Sequence, residues 1–208
     1  MHNMTRTIGL ALVVAATTAG AQETTRVSIA PTSKLWIEGT SNVHNWKCEA
    51  TALDASIDIA LAAQLSTAAP KMLKKVAVKV PVRGLKCGHG KMDDNLYKAL
   101  NADQNSDISY LMSSFETVAG EKKDDFTLRT VGKLTLAGVE NAITMDVAAT
   151  RLTDGTIKAS GTVPILMTAF GIKPPRAMFG TIKTGDEVKV KFELSVGPKV
   201  VATALKNP

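Results

Sequence analysis

Two cysteines and two histidines are the residues best equipped for chemistry in this 208-residue chain. His44 precedes Cys48 by four positions and Cys87 precedes His89 by two, so two thiolates and two imidazoles could be offered to one zinc or copper ion. The spacing suits that role poorly. Adjacent strand positions face opposite ways and no carboxylate stands near to orient an imidazole, although His44 and Cys48 share parity. A disulfide between Cys48 and Cys87 is the expected state, since they are the only cysteines and an export signal directs the chain to an oxidising compartment. Loop entropy makes such a link worth about 4 kcal/mol. Free thiols, and a periplasmic redox or metal-handling role for Cys48, Cys87, His44 and His89, stand as the alternative. No metal site and no cofactor are assigned.

Catalysis finds little support. His2 falls in the export segment, which leaves His44 and His89, and no Gly-x-Ser-x-Gly turn or paired-carboxylate motif accompanies them. Asp93-Asp94 reads as the start of a helix, where the dipole favours anions. Gly88-His89-Gly90 lacks the lysine and the following Ser or Thr of a phosphate-binding loop. The string Lys173-Pro174-Pro175-Arg176 reads first as a rigid proline turn with solvated cations, and second as a contact for an anionic head group. The chain is therefore expected not to be an enzyme.

The ends and the composition narrow the class further. Residues 1–21 carry Arg6, an uncharged apolar run from Ile8 to Val14 and small residues through Ala19-Gly20-Ala21. That is the pattern of a cleavable secretory signal, too short and threonine-diluted for a membrane span. No cysteine follows it to accept a lipid. Residues 22–208 are expected to form one domain, periplasmic or secreted and soluble after cleavage. The formal net charge of +6 is mild and aromatics make up only 4% of the chain. Nucleic-acid binders concentrate their charge and add stacking platforms, so nucleic acid is not an expected partner. Lysines alternating with apolar residues instead fit solvent-facing strand positions.

The elements that must position these residues show period-two patterning. Gly132, Leu134 and Leu136 share one face before Ala137-Gly138, and Ile143, Met145 and Val147 share one face after it, which predicts a hairpin. A first strand is expected over 27–37, with Gly39-Thr40-Ser41-Asn42 as its turn. His44, Trp46, Cys48 and Ala50 share a parity that shifts to Leu53, Ala55, Ile57 and Ile59, so a bulge or bend falls at 51–53. Val76, Val78, Val80 and Val82 alternate, with Pro81 fitting an edge or bulge. Residues 61–75 read equally as loop or short helix, and Gly84 to Gly90 as a flexible connection. Met92, Leu96, Ala99 and Leu100 recur at helical spacing, giving one short amphipathic helix to lie against the sheet or across a barrel mouth. Further alternating sets run through Ile108–Met112, Phe126–Leu128, Ile157–Val163 and Val188–Val196. The fold class is all-β: about eight consecutive antiparallel strands, as a sandwich or a closed barrel. The inward set holds many narrow residues, among them Ala50, Ala159, Gly161 and Gly132. They suit either a cavity or a tight taper.

Three segments together resemble the YceI-like family of exported lipid-binding barrels. They are Val131-Gly132-Lys133-Leu134-Thr135-Leu136-Ala137-Gly138-Val139, the stretch from Gly161 through Thr168-Ala169-Phe170-Gly171-Ile172-Lys173-Pro174-Pro175, and the strand Val188 to Val196. Met92-Asp93-Asp94-Asn95-Leu96 and Gly39-Thr40-Ser41 add to the match, which covers Lys34 to Val196. The resemblance implies an antiparallel lipocalin-like barrel with an elongated apolar cavity. It also implies non-enzymatic binding or transport of a hydrophobic small molecule, a long-chain amphiphile of polyisoprenoid or fatty-acyl type. Longer family members begin with a histidine-bearing strand, whereas this N-terminal half is compact and carries two cysteines. The residues expected to line the cavity are Trp46, Val78, Val80, Tyr110, Leu134, Leu136, Met145, Val163, Phe170 and Phe192. A transient membrane contact and a monomeric or homodimeric state complete the partner expectations, with the apolar segment from Val200 to Leu205 available to pack on the barrel or on a neighbour.

Overall fold

A computed structural model of the protein describes residues 24–60 and 73–197. The export segment, residues 61–72 of the undecided stretch 61–75 and the apolar segment from Val200 to Leu205 lie outside the described residues, while residues 73–75 open the fifth strand. Strands β1 (Thr24–Ile29), β2 (Lys34–Ser41), β3 (Asn45–Ala50), β4 (Asp54–Ala60), β5 (Leu73–Pro81) and β6 (Leu85–Lys86) come first, followed by helix α1 (Gly90–Ala99). Strands β7 (Asp107–Ala119), β8 (Asp125–Leu136), β9 (Val139–Arg151), β10 (Ile157–Leu166), β11 (Arg176–Ala177) and β12 (Ile182–Gly197) follow among the described residues.

The first six of these are three wall strands, each broken once. β1 and β2 both lie along one edge of β12, β4 and β3 lie along β1 and β2, and β5 and β6 continue along β4 and β3. From there β7, β8, β9, β10 and β12 follow in sequence order, and β12 closes on β1 and β2. The result is an up-and-down antiparallel barrel of eight wall strands, which leaves no long open edge.

Each break has a local cause. Pro31 has no N–H to give the ladder, and the chain turns there, with Ser33 N–H donating to Ala30 O at 2.9 Å and Ser195 N–H donating to Ser33 Oγ at 3.1 Å. The expected parity shift at 51–53 is a bend whose Thr51 N–H and hydroxyl both donate to Gly84 O at 2.9 Å. Pro81 ends β5 and a 3-10 turn, Val82–Gly84, separates it from β6. Three expectations need correction. The single strand over 27–37 is two strands. Gly39, Thr40 and Ser41 belong to β2, and the turn falls at residues 42–44. The connection from Gly84 to Gly90 is not a loose tether, because it carries β6 and a disulfide.

The central hairpin forms as patterned. Leu136 pairs with Val139 across Ala137 and Gly138, both at positive φ (51° and 81°), the two-residue turn whose twist matches that of the strands. In an up-and-down barrel alternate connections share one end. The β2–β3 turn, the α1 segment, the β8–β9 turn and the segment holding β11 therefore all sit at one end of this barrel. The packed core lies there too: Leu100 and Ala102 beyond α1, and Met167, Phe170 and Ile172 from the β10–β11 segment, close on Val82, Leu85 and Leu134. Tyr97 fastens α1 in place by donating its hydroxyl to the carbonyls of Arg83 and Leu85 (3.0 and 2.9 Å) and accepting from Lys86 Nζ at 2.8 Å.

Candidate functional site

Inward side chains of every wall strand enclose a cavity of about 1020 Å³. Its wall is aliphatic and aromatic along nearly its whole length, which follows from the alternation that sends one parity of each strand inward. Of the ten residues expected on the wall, nine are there: Trp46 on β3, Val78 and Val80 on β5, Tyr110 on β7, Leu134 and Leu136 on β8, Met145 on β9, Val163 on β10 and Phe192 on β12. Phe170 is not. It sits in the 3-10 turn Met167–Phe170, where the chain has left the wall, and is buried in the core that closes the end. Ile37, Ile57, Phe126 and Leu128 share the inward parities and also line the wall.

Three inward aromatics explain how a narrow barrel stays hollow. An eight-stranded barrel has just enough interior for side chains or one small ligand. Here Trp46 lies over Gly39, its register partner on β2, and Phe192 lies over Gly161, its partner on β10. Tyr110 covers Gly132 of β8. A Cβ at any of these glycines would stand inside contact distance of the ring. Each ring thus lies flat in the hollow its glycine leaves, and its bulk stays out of the lumen. Trp46 is held there by Nε1–H donating to Thr40 O at 3.1 Å.

Polarity inside the wall is scarce, and its central pair, Thr130 and Tyr110, is hydrogen-bonded within the wall. Thr130 is the buried polar side chain among the described residues. It accepts from Tyr110 Oη at 3.3 Å and donates to Met145 O at 3.3 Å. Burial pushes the Tyr110 hydroxyl above the usual phenol range, and the bond to Thr130 works against that shift. Both groups are therefore neutral at physiological pH. Most other polar lining gathers at the loop-bearing end, where Ser41, His44, His89, Lys91, Asn95, Arg176 and Thr184 reach the cavity. The histidines and Arg176 are legible as candidates in the sequence, whereas Lys91 and Asn95 are brought to the mouth only by the fold of α1 across this end.

Cys48 and Cys87 are joined in a disulfide that links β3 to the segment entering α1, and both face the cavity. The bond occupies both sulfurs. His89 caps α1, its Nδ1 accepting from Lys91 N–H at 3.3 Å, and His44 Nδ1 lies 2.9 Å from Asn45 O. Among the described residues no group of three or more His, Cys, Asp or Glu is placed to hold a metal ion. Asp93 accepts from Cys87 N–H at 2.7 Å and lies 3.6 Å from Lys86 Nζ, so it anchors the entry to α1.

This arrangement defines a hollow, apolar-lined up-and-down β-barrel whose polar lining is concentrated at the loop-bearing mouth, with Arg151 at the other end. Its family is equally clear: the YceI-like domain matches residues 30–196, and the chain belongs to that family. Solved structures share the fold. Burkholderia cenocepacia BcnA is 18% identical with a TM-score of 0.63, covering 78% of this chain and 95% of its own. A polyisoprenoid binding domain from Saccharophagus degradans, described as implicated in plant cell wall breakdown, is 14% identical with a TM-score of 0.59, covering 82% and 96%. The Campylobacter jejuni YCEI protein is 18% identical with a TM-score of 0.53, covering 91% and 97%. No curated protein matches the chain.

Proposed function

We propose that the protein binds and carries a long-chain amphiphile of polyisoprenoid or fatty-acyl type, holding the chain in the barrel and the polar head at the loop-bearing mouth. The observation that carries this reading is the cavity: about 1020 Å³, apolar along its wall, with most of its polar lining gathered at the loop-bearing end. At about 30 Å³ per heavy atom, that is room for on the order of 30 chain carbons. Each methylene removed from water contributes about 0.8 kcal/mol, so affinity grows with chain length and needs few hydrogen bonds. The fold shared with a domain described as polyisoprenoid binding supports the same ligand class. No bond is broken in this role. The disulfide supports action in the periplasm or outside the cell, where such bonds persist.

Organic extraction of the purified protein followed by mass spectrometry tests the proposal. A prenyl or acyl lipid near one per chain is expected. A protein that comes out empty and takes up neither a prenyl nor an acyl probe would end it.

A further inference from the structure

The loop-bearing mouth carries an apolar prong whose tip, Phe179, lies outside the cavity lining. Phe179 is fully exposed at 110%, and Met178 beside it and Val43 on the β2–β3 turn stand at 68% and 62%. These are among the most exposed large apolar side chains described, and they lie on two loops knitted together by Asn42. Its Nδ2 donates to Thr181 O at 2.8 Å, its Oδ1 accepts from Lys183 N–H at 2.8 Å, and its N–H donates to Lys183 O at 3.1 Å. Thr181 Oγ1 donates to Met178 O at 2.7 Å and closes the prong on itself. Met178, Phe179 and Gly180 follow one another at positive φ (49°, 54° and 89°). That conformation is unfavourable for the first two, and it turns Phe179 out to solvent with no protein surface to rest on.

The segment that carries the prong has charge of one sign. Lys173, Arg176 and Lys183 are exposed, and the segment from Gly171 to Gly185 contains no acid. The next acid, Asp186, is engaged by Thr168 N–H and Oγ1 at 2.9 and 2.6 Å, and Glu187 lies 3.9 Å from Lys189. Arg176, Ala177, Met178 and Ile182 also line the mouth, so the prong and the entrance to the cavity are one continuous surface.

We infer that this prong is a membrane-docking surface. Phe179, Met178 and Val43 enter the headgroup region of a bilayer bearing anionic lipid, Lys173, Arg176 and Lys183 meet its phosphates, and the cavity mouth is pressed to the membrane so that a chain moves between bilayer and barrel without crossing water. Apolar residues ringed by lysine and arginine are what interfacial binding requires. The docking surface stands on the exposed residues alone; its use in loading rests on the function proposed above.

The test is cosedimentation of the full chain with vesicles of phosphatidylcholine and phosphatidylglycerol in equal parts. Binding is expected, weaker on pure phosphatidylcholine and weaker at high salt. Phe179→Ser should weaken it about tenfold and Phe179→Trp should retain it. Lys173→Gln with Lys183→Gln should weaken it on the anionic vesicles by at least about tenfold. Phe179 lies outside the cavity lining, so lipid extracted from Phe179→Ser should match the parent. That second readout separates the two readings: an empty barrel that still binds vesicles through Phe179 removes the cargo and keeps the docking surface. The inference is overturned if the parent fails to sediment with anionic vesicles, if Phe179→Ser binds as the parent does, or if Phe179→Ser merely converts a dimer in solution to a monomer.

Discussion

A methyl group added at Gly39 probes how the barrel is kept hollow. The three atoms nearest to that methyl all belong to the Trp46 indole, and Gly39 needs no positive φ, so backbone strain is not involved. In Gly39→Ala the ring must leave the wall. It then loses the bond from Nε1 to Thr40 O, worth about 1 kcal/mol, and overpacks its neighbours at a cost of about 1–3 kcal/mol. The sum, about 2–4 kcal/mol, lowers Tm by about 4–16 °C for a chain of this size. The displaced ring also enters the lumen, so uptake of a long-chain probe should fall more than uptake of a short one. A double-mutant cycle isolates the cause. Once Trp46→Ala has removed the ring, Gly39→Ala should become neutral or stabilise by about 0.4–1 kcal/mol, because the unfolded chain then loses entropy and nothing is crowded. Thermal and urea unfolding of the four proteins read the cycle. If Gly39→Ala costs the same with and without the indole, the glycine serves its backbone and the reasoning fails.

Other outcomes follow from single contacts. Replacing both Cys48 and Cys87 by Ser opens a link spanning 39 positions and should cost about 4 kcal/mol, or about 8–16 °C in Tm. A reductant should reproduce the loss in the parent, and a Tm indifferent to reductant would contradict it. Leu85 on β6, fully buried in the core that closes the loop-bearing end, should cost about 2–5 kcal/mol on truncation to Ala, measured by the shift in urea midpoint. Tyr110 sets an alkaline limit. Its folded pKa lies above its unfolded value, so its stabilising contribution is complete below the unfolded pKa and is lost as pH rises towards the folded one. Tyr110→Phe should flatten the fall in Tm through that alkaline window, and parallel curves for the two proteins would refute the assignment.

What could be read in the sequence was whatever depends on parity. Leu134, Leu136, Met145 and Val163 face inward because alternation persists until something breaks it, and the bend at 51–53 was visible because apolar residues change parity across it. Gly39, expected in a turn, belongs to β2 for a physical reason. A glycine beside threonine and serine has the composition of a turn, and nothing along the chain reveals that an indole from the neighbouring strand fills its vacancy. Phe170, expected on the wall, follows β10 directly in sequence, but the 3-10 turn at Met167 takes it off the ladder. The prong at Met178 and Phe179 was hidden likewise. The charges of its neighbours Lys173-Pro174-Pro175-Arg176 are plain in the sequence, but exposure of an aromatic depends on left-handed backbone that composition does not announce.

The size of the cavity bears on whether the barrel exists empty. Voids left in protein cores cost about 24 cal/mol per Å³, and over 1020 Å³ that is about 24 kcal/mol, more than the net stability of about 5–15 kcal/mol typical of a domain. A dry, vacant lumen of this size is untenable, so it holds either water or an apolar chain. Water needs two to four polar partners, and the wall offers few: Tyr110 and Thr130 already bond to each other and to Met145 O. Chain methylenes need none. The folded barrel should therefore keep its guest through purification, and stripping it with organic solvent or a hydrophobic resin should lower Tm. At a free ligand level 100 times Kd the linkage is about 2.7 kcal/mol, hence a shift of about 5–11 °C that returns when a prenyl or acyl lipid is added back. A stripped protein that melts where the loaded one does would mean the guest contributes nothing to the fold, and that the lumen is content with water.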